Sequence, residues 1–494
     1  MGERAKSVQR ITDRVAGSKW AFFFAYACVA LGAVVSLFSA VLRQRAEVLS
    51  SYEILLSLLL FAGLLALFCV LLRRNKEDAG FVFLLVGTPA LLGFGLFVLP
   101  DQVPDEIWHI YRVLNFTGSG NGGMISPDSL AYMQTPRSYE AMFYALAASP
   151  DWGSTHMVDR DMSSYLSHLY AAPGVVAALG KLMNLNPFVV VYMARMANIA
   201  LFLVAAFWVL RIIPLGKTVT FVYLLNPILL QQEASCSADA FLNAVSLLFV
   251  AYFLKLLFQE DINKKEWAVL ACLLLFTCIS KYAYAPLALM LLLLVPKVVR
   301  KKKAIVAIYA AVAAVSLAAV LFALFIYNGA AFKDALDLVR SPGEFVSVLS
   351  RSLSVMGPFW LSSFGGANLG PLTISVWTPC LWAYFVLLAV AVLYSLGEKH
   401  SFKRGQKIFI GLLIAGTVVL IILAFREWTI NVDKRFDIIM GVQGRYFIPL
   451  FLLPLLCFVG PKSTITRPNC LYGYSVAMSV IIASGLASVV RYFW

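Results

Sequence analysis

Apolar runs long enough to cross a bilayer recur along almost the whole of this chain, and few folds accept such a pattern. A hydrocarbon core of roughly 30 Å needs about 20 residues of helix, fewer where neighbours shield the segment. About thirteen runs qualify, at 20–42, 52–72, 81–99, 187–210, 219–232, 240–257, 267–280, 283–299, 304–327, 379–396, 408–425, 446–459 and 471–491. With 61% hydrophobic residues and a mean hydropathy of +0.83, the chain reads as an all-α, polytopic integral membrane protein. It carries no low-complexity linker, no strong repeat of fixed period and no soluble domain at either end, so it reads as one membrane unit.

A net charge of +14 would suit nucleic acid, but the placement of the charges argues against it. Basic residues gather in short loops on alternate sides of the runs. Arg4, Lys6, Arg10, Arg14 and Lys19 precede the first run, and Arg73, Arg74 and Lys76 follow the second. Lys264 and Lys265, then 297–303 and 399–407, continue the series. The positive-inside rule puts these loops in the cytoplasm. The N-terminus is then cytoplasmic and, with an odd number of crossings, the C-terminus lies outside. The first run is long and lacks a small-residue cleavage site, so it reads as a span and not as a cleaved signal. The eight cysteines lie mostly in apolar runs without paired spacing and read as small buried hydrophobes; Cys236 alone lies near an outer loop, where it would be reactive.

That orientation puts three polar excursions, 100–186, 328–378 and 426–445, on the extracytoplasmic side. The first is acidic, with Asp101, Asp105, Glu106, Asp128, Glu140, Asp151, Asp159 and Asp161. Its semi-apolar pieces, 139–148 and 170–183, are too short or too polar to span and read as amphipathic helices at the interface.

Three polar clusters fall on this side. In Pro104-Asp105-Glu106-Ile107-Trp108-His109, the proline suits the first turn of a helix, where the helix dipole favours the two acids. Continued as a helix, the segment puts Asp105, His109 and Arg112 on one face. A carboxylate held there can accept a proton from a hydroxyl or hold a metal ion; the plain alternative is a helix cap. The second cluster, 231–240, is a polar hinge in which Gln232 and Asp239 face a cavity or, again, Asp239 caps the next helix. Lys281 interrupts a nearby apolar hairpin, where it either snorkels or meets a phosphate. The third is Gly441-Val442-Gln443-Gly444-Arg445-Tyr446. Its glycines permit close backbone approach, and Arg445 offers a planar fork suited to a phosphate or an interfacial anchor.

Taken in order, Pro104-Asp105-Glu106 with His109, Ala194-Arg195 with Asn198, Ser237-Ala238-Asp239-Ala240, Lys281-Tyr282 with Pro286, and Gly441 to Tyr446 with Pro449 resemble the motifs of a bacterial membrane family, domain-of-unknown-function family 2142. The resemblance covers 79–494, including the loop 100–186, and leaves 1–78 as an additional N-terminal helical pair. That family is similar to the GT-C glycosyltransferases, which include protein O-mannosyltransferases and the aminoarabinose transferase of lipid A. The resemblance implies a GT-C-like fold in the bacterial cytoplasmic membrane and transfer of a sugar from a polyprenyl-phosphate-linked donor. The acceptor would be a cell-wall polymer, a lipid-linked glycan or a protein, with inversion at the sugar carbon. It implies Asp105 as base, Glu106 as second choice and His109 beside them. Arg445 and Lys281 would hold the donor phosphate, and Arg112, Gln232, Asp239, Gln443 and Tyr446 would orient substrate. A divalent ion such as Mg or Mn at Asp105 and Glu106 is compatible with it, and no other cofactor is implied.

One departure from the superfamily is the lack of a large soluble domain in the late outer loops. Two other readings stand beside this one. A lipid-linked oligosaccharide polymerase or ligase shares the lipid phosphate and the face, but usually relies on arginines with a late-loop histidine. Here Arg426, Lys434, Arg435 and Arg445 have none near them. A transporter or flippase predicts midplane ionisable groups and an inverted repeat, and neither is evident.

Overall fold

The computed structural model describes residues 19–45, 47–75, 77–116, 124–125, 152, 156–157, 166–326, 333–395, 398–460 and 471–494. Arg4, Lys6, Arg10, Arg14 and Lys76, the acids Asp128, Glu140, Asp151, Asp159 and Asp161, and the expected interfacial segment 139–148 lie outside the described residues.

The described chain is nearly all-α. Its helices are α1 (Lys19–Arg45), α2 (Ser51–Asn75), α3 (Ala79–Phe97), α4 (Glu106–Leu114), α5 (Ala171–Leu182), α6 (Pro187–Ile212), α7 (Lys217–Leu224), α8 (Pro227–Glu233), α9 (Ala238–Phe258), α10 (Lys264–Ser280), α11 (Lys302–Leu321), α12 (Lys333–Arg340), α13 (Pro342–Phe364), α14 (Thr378–Tyr394), α15 (Arg404–Ala424), α16 (Ile448–Leu456) and α17 (Leu471–Phe493). Two antiparallel pairs of two-residue strands complete it. β1 (Met124–Ile125) meets β2 (His156–Met157), and β3 (Asn368–Leu369) meets β4 (Ile374–Ser375) with Asn368 opposite Ser375.

Among the described residues, eight helices are long and apolar enough to cross a membrane, so this is a multi-pass membrane protein; three further apolar helices are shorter, and several of the thirteen expected runs are not single long helices. The difference has a local cause. Run 219–232 breaks at Asn226, whose side chain accepts from the Ile228 amide while Pro227 starts α8. Run 283–299 carries Pro286 and winds as a tight 3-10 helix, Tyr282–Leu294. Run 446–459 starts as a 3-10 turn and holds Pro449 and Pro454 in α16. Conversely, the excursion 328–378 contains the 23-residue α13, which polar and small residues hid from a hydropathy reading.

α3 is the centre of the bundle. It is apolar all round and buried along almost its whole length, packed against α1, α6 and α17. Its start is tied by Asp78, which accepts from the Phe81 amide at 3.2 Å and pairs with Lys19 and Arg211 at 2.8 Å each. α10 begins with a reciprocal cap between Asn263 and Glu266. The semi-apolar piece 170–183 is α5, laid against α6 with its small residues inward.

Candidate functional site

The site grows from the end of α3. Arg195, inside the apolar α6, is wholly buried and its guanidinium donates to the Gly95, Val98 and Leu99 carbonyls at 3.1, 2.5 and 2.9 Å. Those are the carbonyls that α3 leaves without helical partners at its C-terminus. The same fork grips Glu106 at both carboxylate oxygens, 2.9 and 2.5 Å. Glu106 in turn accepts the Cys236 amide at 3.0 Å and the Asp101 amide at 3.2 Å. One buried ion pair therefore joins α3, α4, α6 and the hinge before α9.

Pinning Glu106 inward turns its neighbour outward. Asp105 sits in left-handed backbone (φ 64°) at the start of α4 and makes no side-chain cap; its carboxylate pairs with Arg445 at 2.6 Å. Arg445 also donates to the Pro104 carbonyl at 3.0 Å, to Gln232 at 3.2 Å and to the Tyr446 hydroxyl at 3.2 Å, and lies 3.4 Å from Asp239. Asp239 is not a cap either. Ser237 caps α9, leaving the Asp239 carboxylate for Lys281 at 2.9 Å. Lys281 and Arg445 lie 4.3 and 5.0 Å from the centre of the Tyr446 ring. Two acids and two bases drawn from four distant segments thus form one neutral cluster. Gly444 makes that possible, since a Cβ there would stand 2.1 Å from the Phe364 amide nitrogen.

A cavity of about 1190 Å³ ends on this cluster. Asp105, His109, Lys281, Gln443 and Tyr446 line its polar end, and Trp108, Phe345, Phe425 and Trp428 add aromatic surface. The remaining wall is apolar, from Val320 near the end of α11, from Phe322, Ala323 and Leu324 just beyond it, and from α12 and α15. The volume exceeds the roughly 300–1,000 Å³ of small-molecule pockets. Exposure separates the three acids: the Asp105 side chain is 45% exposed, Asp239 10% and Glu106 0%. Only Asp105 can meet a ligand directly. His109 shares a 2.7 Å hydrogen bond with the buried Tyr170 hydroxyl. Burial pushes its imidazole down to about 4, while the Asp239 and Asp105 charges pull the other way, so the ring is neutral near pH 7.

The family described as predicted membrane protein, DUF2142, matches residues 90–454. The chain belongs to that family. The DUF2142 match begins within α3 and ends within α16, so it holds every cluster residue and leaves out α1, α2 and α17. The resemblance in sequence was expected to reach the C-terminus; the match stops short of it. No curated protein matches the chain, and no solved structure does.

Of the residues expected at a DUF2142 site, Asp105, His109, Lys281, Gln443 and Tyr446 line one cavity. Arg445, Gln232 and Asp239 stand behind its wall, so Arg445 meets Asp105 rather than the cavity. Glu106, expected among the catalytic residues, instead faces the core, where Arg195 and the Asp101 and Cys236 amides hold its carboxylate away from the cavity. The metal expected at Asp105 and Glu106 does not fit: the two carboxylates face different arginines, and among the described residues no three His, Cys, Asp or Glu side chains converge. Arg112 turns away to the Ser167 hydroxyl at 2.8 Å. Cys236 is fully buried, which pushes its thiol up and leaves it inert, contrary to expectation. Tyr170 and Tyr284, whose hydroxyl donates to the Tyr446 carbonyl at 2.7 Å, were not foreseen. Arg195 had a signal, since an arginine inside an apolar run demands a partner.

Proposed function

We propose that this chain is a GT-C-type membrane glycosyltransferase that moves a sugar from a polyprenyl-phosphate donor to an extracytoplasmic acceptor hydroxyl. The observation that carries the reading is the cavity, whose long apolar wall suits an isoprenoid chain and whose polar end presents one exposed carboxylate and one half-buried cation. The donor phosphate meets Lys281. Asp105 takes the acceptor proton as the acceptor oxygen bonds to the sugar carbon and the carbon–oxygen bond to the phosphate breaks, so the polyprenyl phosphate departs and the carbon inverts. Arg445 fixes the Asp105 carboxylate and adds positive field one layer back. His109, Gln443 and Tyr446 offer neutral partners to sugar hydroxyls, with the acceptor a cell-wall polymer, lipid-linked glycan or protein.

Binding of undecaprenyl phosphate to the purified protein tests the assignment of the cation. Lys281→Met should raise Kd roughly ten- to hundredfold, the weight of one charged hydrogen bond, and Lys281→Arg should recover much of it. Arg445→Lys should keep binding but slow turnover, because the fork that orients Asp105 is lost. Unchanged affinity in Lys281→Met would remove the phosphate role from it.

The orientation rests on the basic loops, Lys264, Lys265, Lys302, Lys303, Lys403 and Arg404 among them. In cells, with native cysteines replaced, a cysteine at Lys434 is expected to react with an impermeant maleimide from outside and one at Lys302 is not. The reverse pattern would put the cavity mouth in the cytoplasm.

A further inference from the structure

A second cavity, about 650 Å³, lies between α1, α3 and α17, away from the charged cluster, with Phe61 of α2 at its side. Its volume falls in the range of built ligand sites, roughly 300–1,000 Å³. The helices that enclose it are all long and apolar enough to cross a membrane. Ser479, Ala483, Ala487 and Arg491 run along its α17 wall at four-residue spacing, so small side chains hollow out the groove and an arginine closes its end. Val34, Leu37 and Val41 form the facing α1 wall.

Arg491 stands at the end of the bundle that carries the charged cluster, since the Trp494 indole donates to the Phe97 carbonyl at 3.0 Å, where α3 ends. At that end Arg43, Arg351, Arg435 and Arg445 are paired with carboxylates. Arg491 has no ion-pair or hydrogen-bond partner among the described residues. An apolar groove opening between membrane helices, with one uncompensated cation at its mouth, has the shape and charge of a lipid site.

We infer that α1, α3 and α17 form a binding groove for an anionic phospholipid, with one acyl chain between the helices and the phosphate on Arg491. Because α1 supplies one wall, the site exists only with the N-terminal helical pair in place, outside the part of the chain that the family match covers. It is independent of the catalytic proposal, since no residue of the groove lines the other cavity.

Native mass spectrometry of the full chain, titrated with dioleoyl phosphatidylglycerol or dioleoyl phosphatidylcholine, tests this. The wild type should retain phosphatidylglycerol preferentially. Arg491→Gln, at an exposed position, should lower that retention roughly fivefold, the weight of one arginine near an anionic surface, and leave phosphatidylcholine unchanged. Ala487→Trp should fill the groove and lose both lipids. Equal retention of the two lipids by the wild type, or undiminished phosphatidylglycerol in Arg491→Gln, would overturn the site. Retention of undecaprenyl phosphate that falls with Arg491→Gln or Ala487→Trp, while phosphatidylglycerol stays unchanged, would overturn the phospholipid assignment.

Discussion

Asp105→Asn is expected to slow sugar transfer by about 10²–10⁴, the range typical of removing a general base. Folded yield and undecaprenyl phosphate binding should hardly change. The substitution isolates the proton acceptor well. Asparagine tolerates the left-handed backbone at φ 64°, so it adds little strain. Its amide oxygen can still accept from Arg445, and the side chain is 45% exposed, so the lost charge contributes little to stability. A base acts on the proton in the transition state and adds little ground-state affinity, hence the expected fall in kcat with an unchanged donor KM. The assay uses purified protein, a synthetic polyprenyl-phosphate sugar and a glycan acceptor pool, with the same preparation checked for monodisperse elution. Full turnover in Asp105→Asn would sink the role assigned to it, and would leave the cavity as a lipid-phosphate binding site without this chemistry.

The helical membrane character was legible because apolar runs report burial in lipid directly, whatever their partners. Where those runs break was not. A hydropathy window averages over Asn226-Pro227 and over Pro286, where the backbone stops a helix that composition alone would continue. The charged cluster was legible only through the resemblance, since Asp105 and Arg445 are 340 residues apart and nothing local announces their contact. Periodicity also misled at one point. It puts Asp105, His109 and Arg112 on one face, whereas Asp105 stands in left-handed backbone before α4 and Arg112 turns to Ser167. Which acid faces the cavity was decided by Arg195. That residue belongs to one of the sequence motifs, and its place inside an apolar run by itself requires a buried acid.

That same pair supplies the second large effect. Arg195→Met is expected to destabilise the protein by about 3–5 kcal/mol, the range for breaking a buried ion pair from one side. The reason is local. Methionine fills part of the space but leaves the Gly95, Val98 and Leu99 carbonyls and the Glu106 carboxylate without the donor that held them. Glu106→Gln should cost less, because an amide can still accept from Arg195, although its NH2 then meets either the guanidinium or the Asp101 and Cys236 amides, all of them donors. The double variant, Glu106→Gln with Arg195→Met, should be more stable than the sum of the two losses, since no charge is then buried alone. Thermal unfolding in one detergent, followed by tryptophan fluorescence and by loss of monodisperse elution, reads all three. Were Glu106 a catalytic acid instead, Glu106→Gln would keep the wild-type midpoint and lose turnover in the folded fraction. Expected here is the opposite pairing, a lower midpoint with near-normal turnover per folded molecule, because Glu106 reaches the cavity only through the backbone of Asp105.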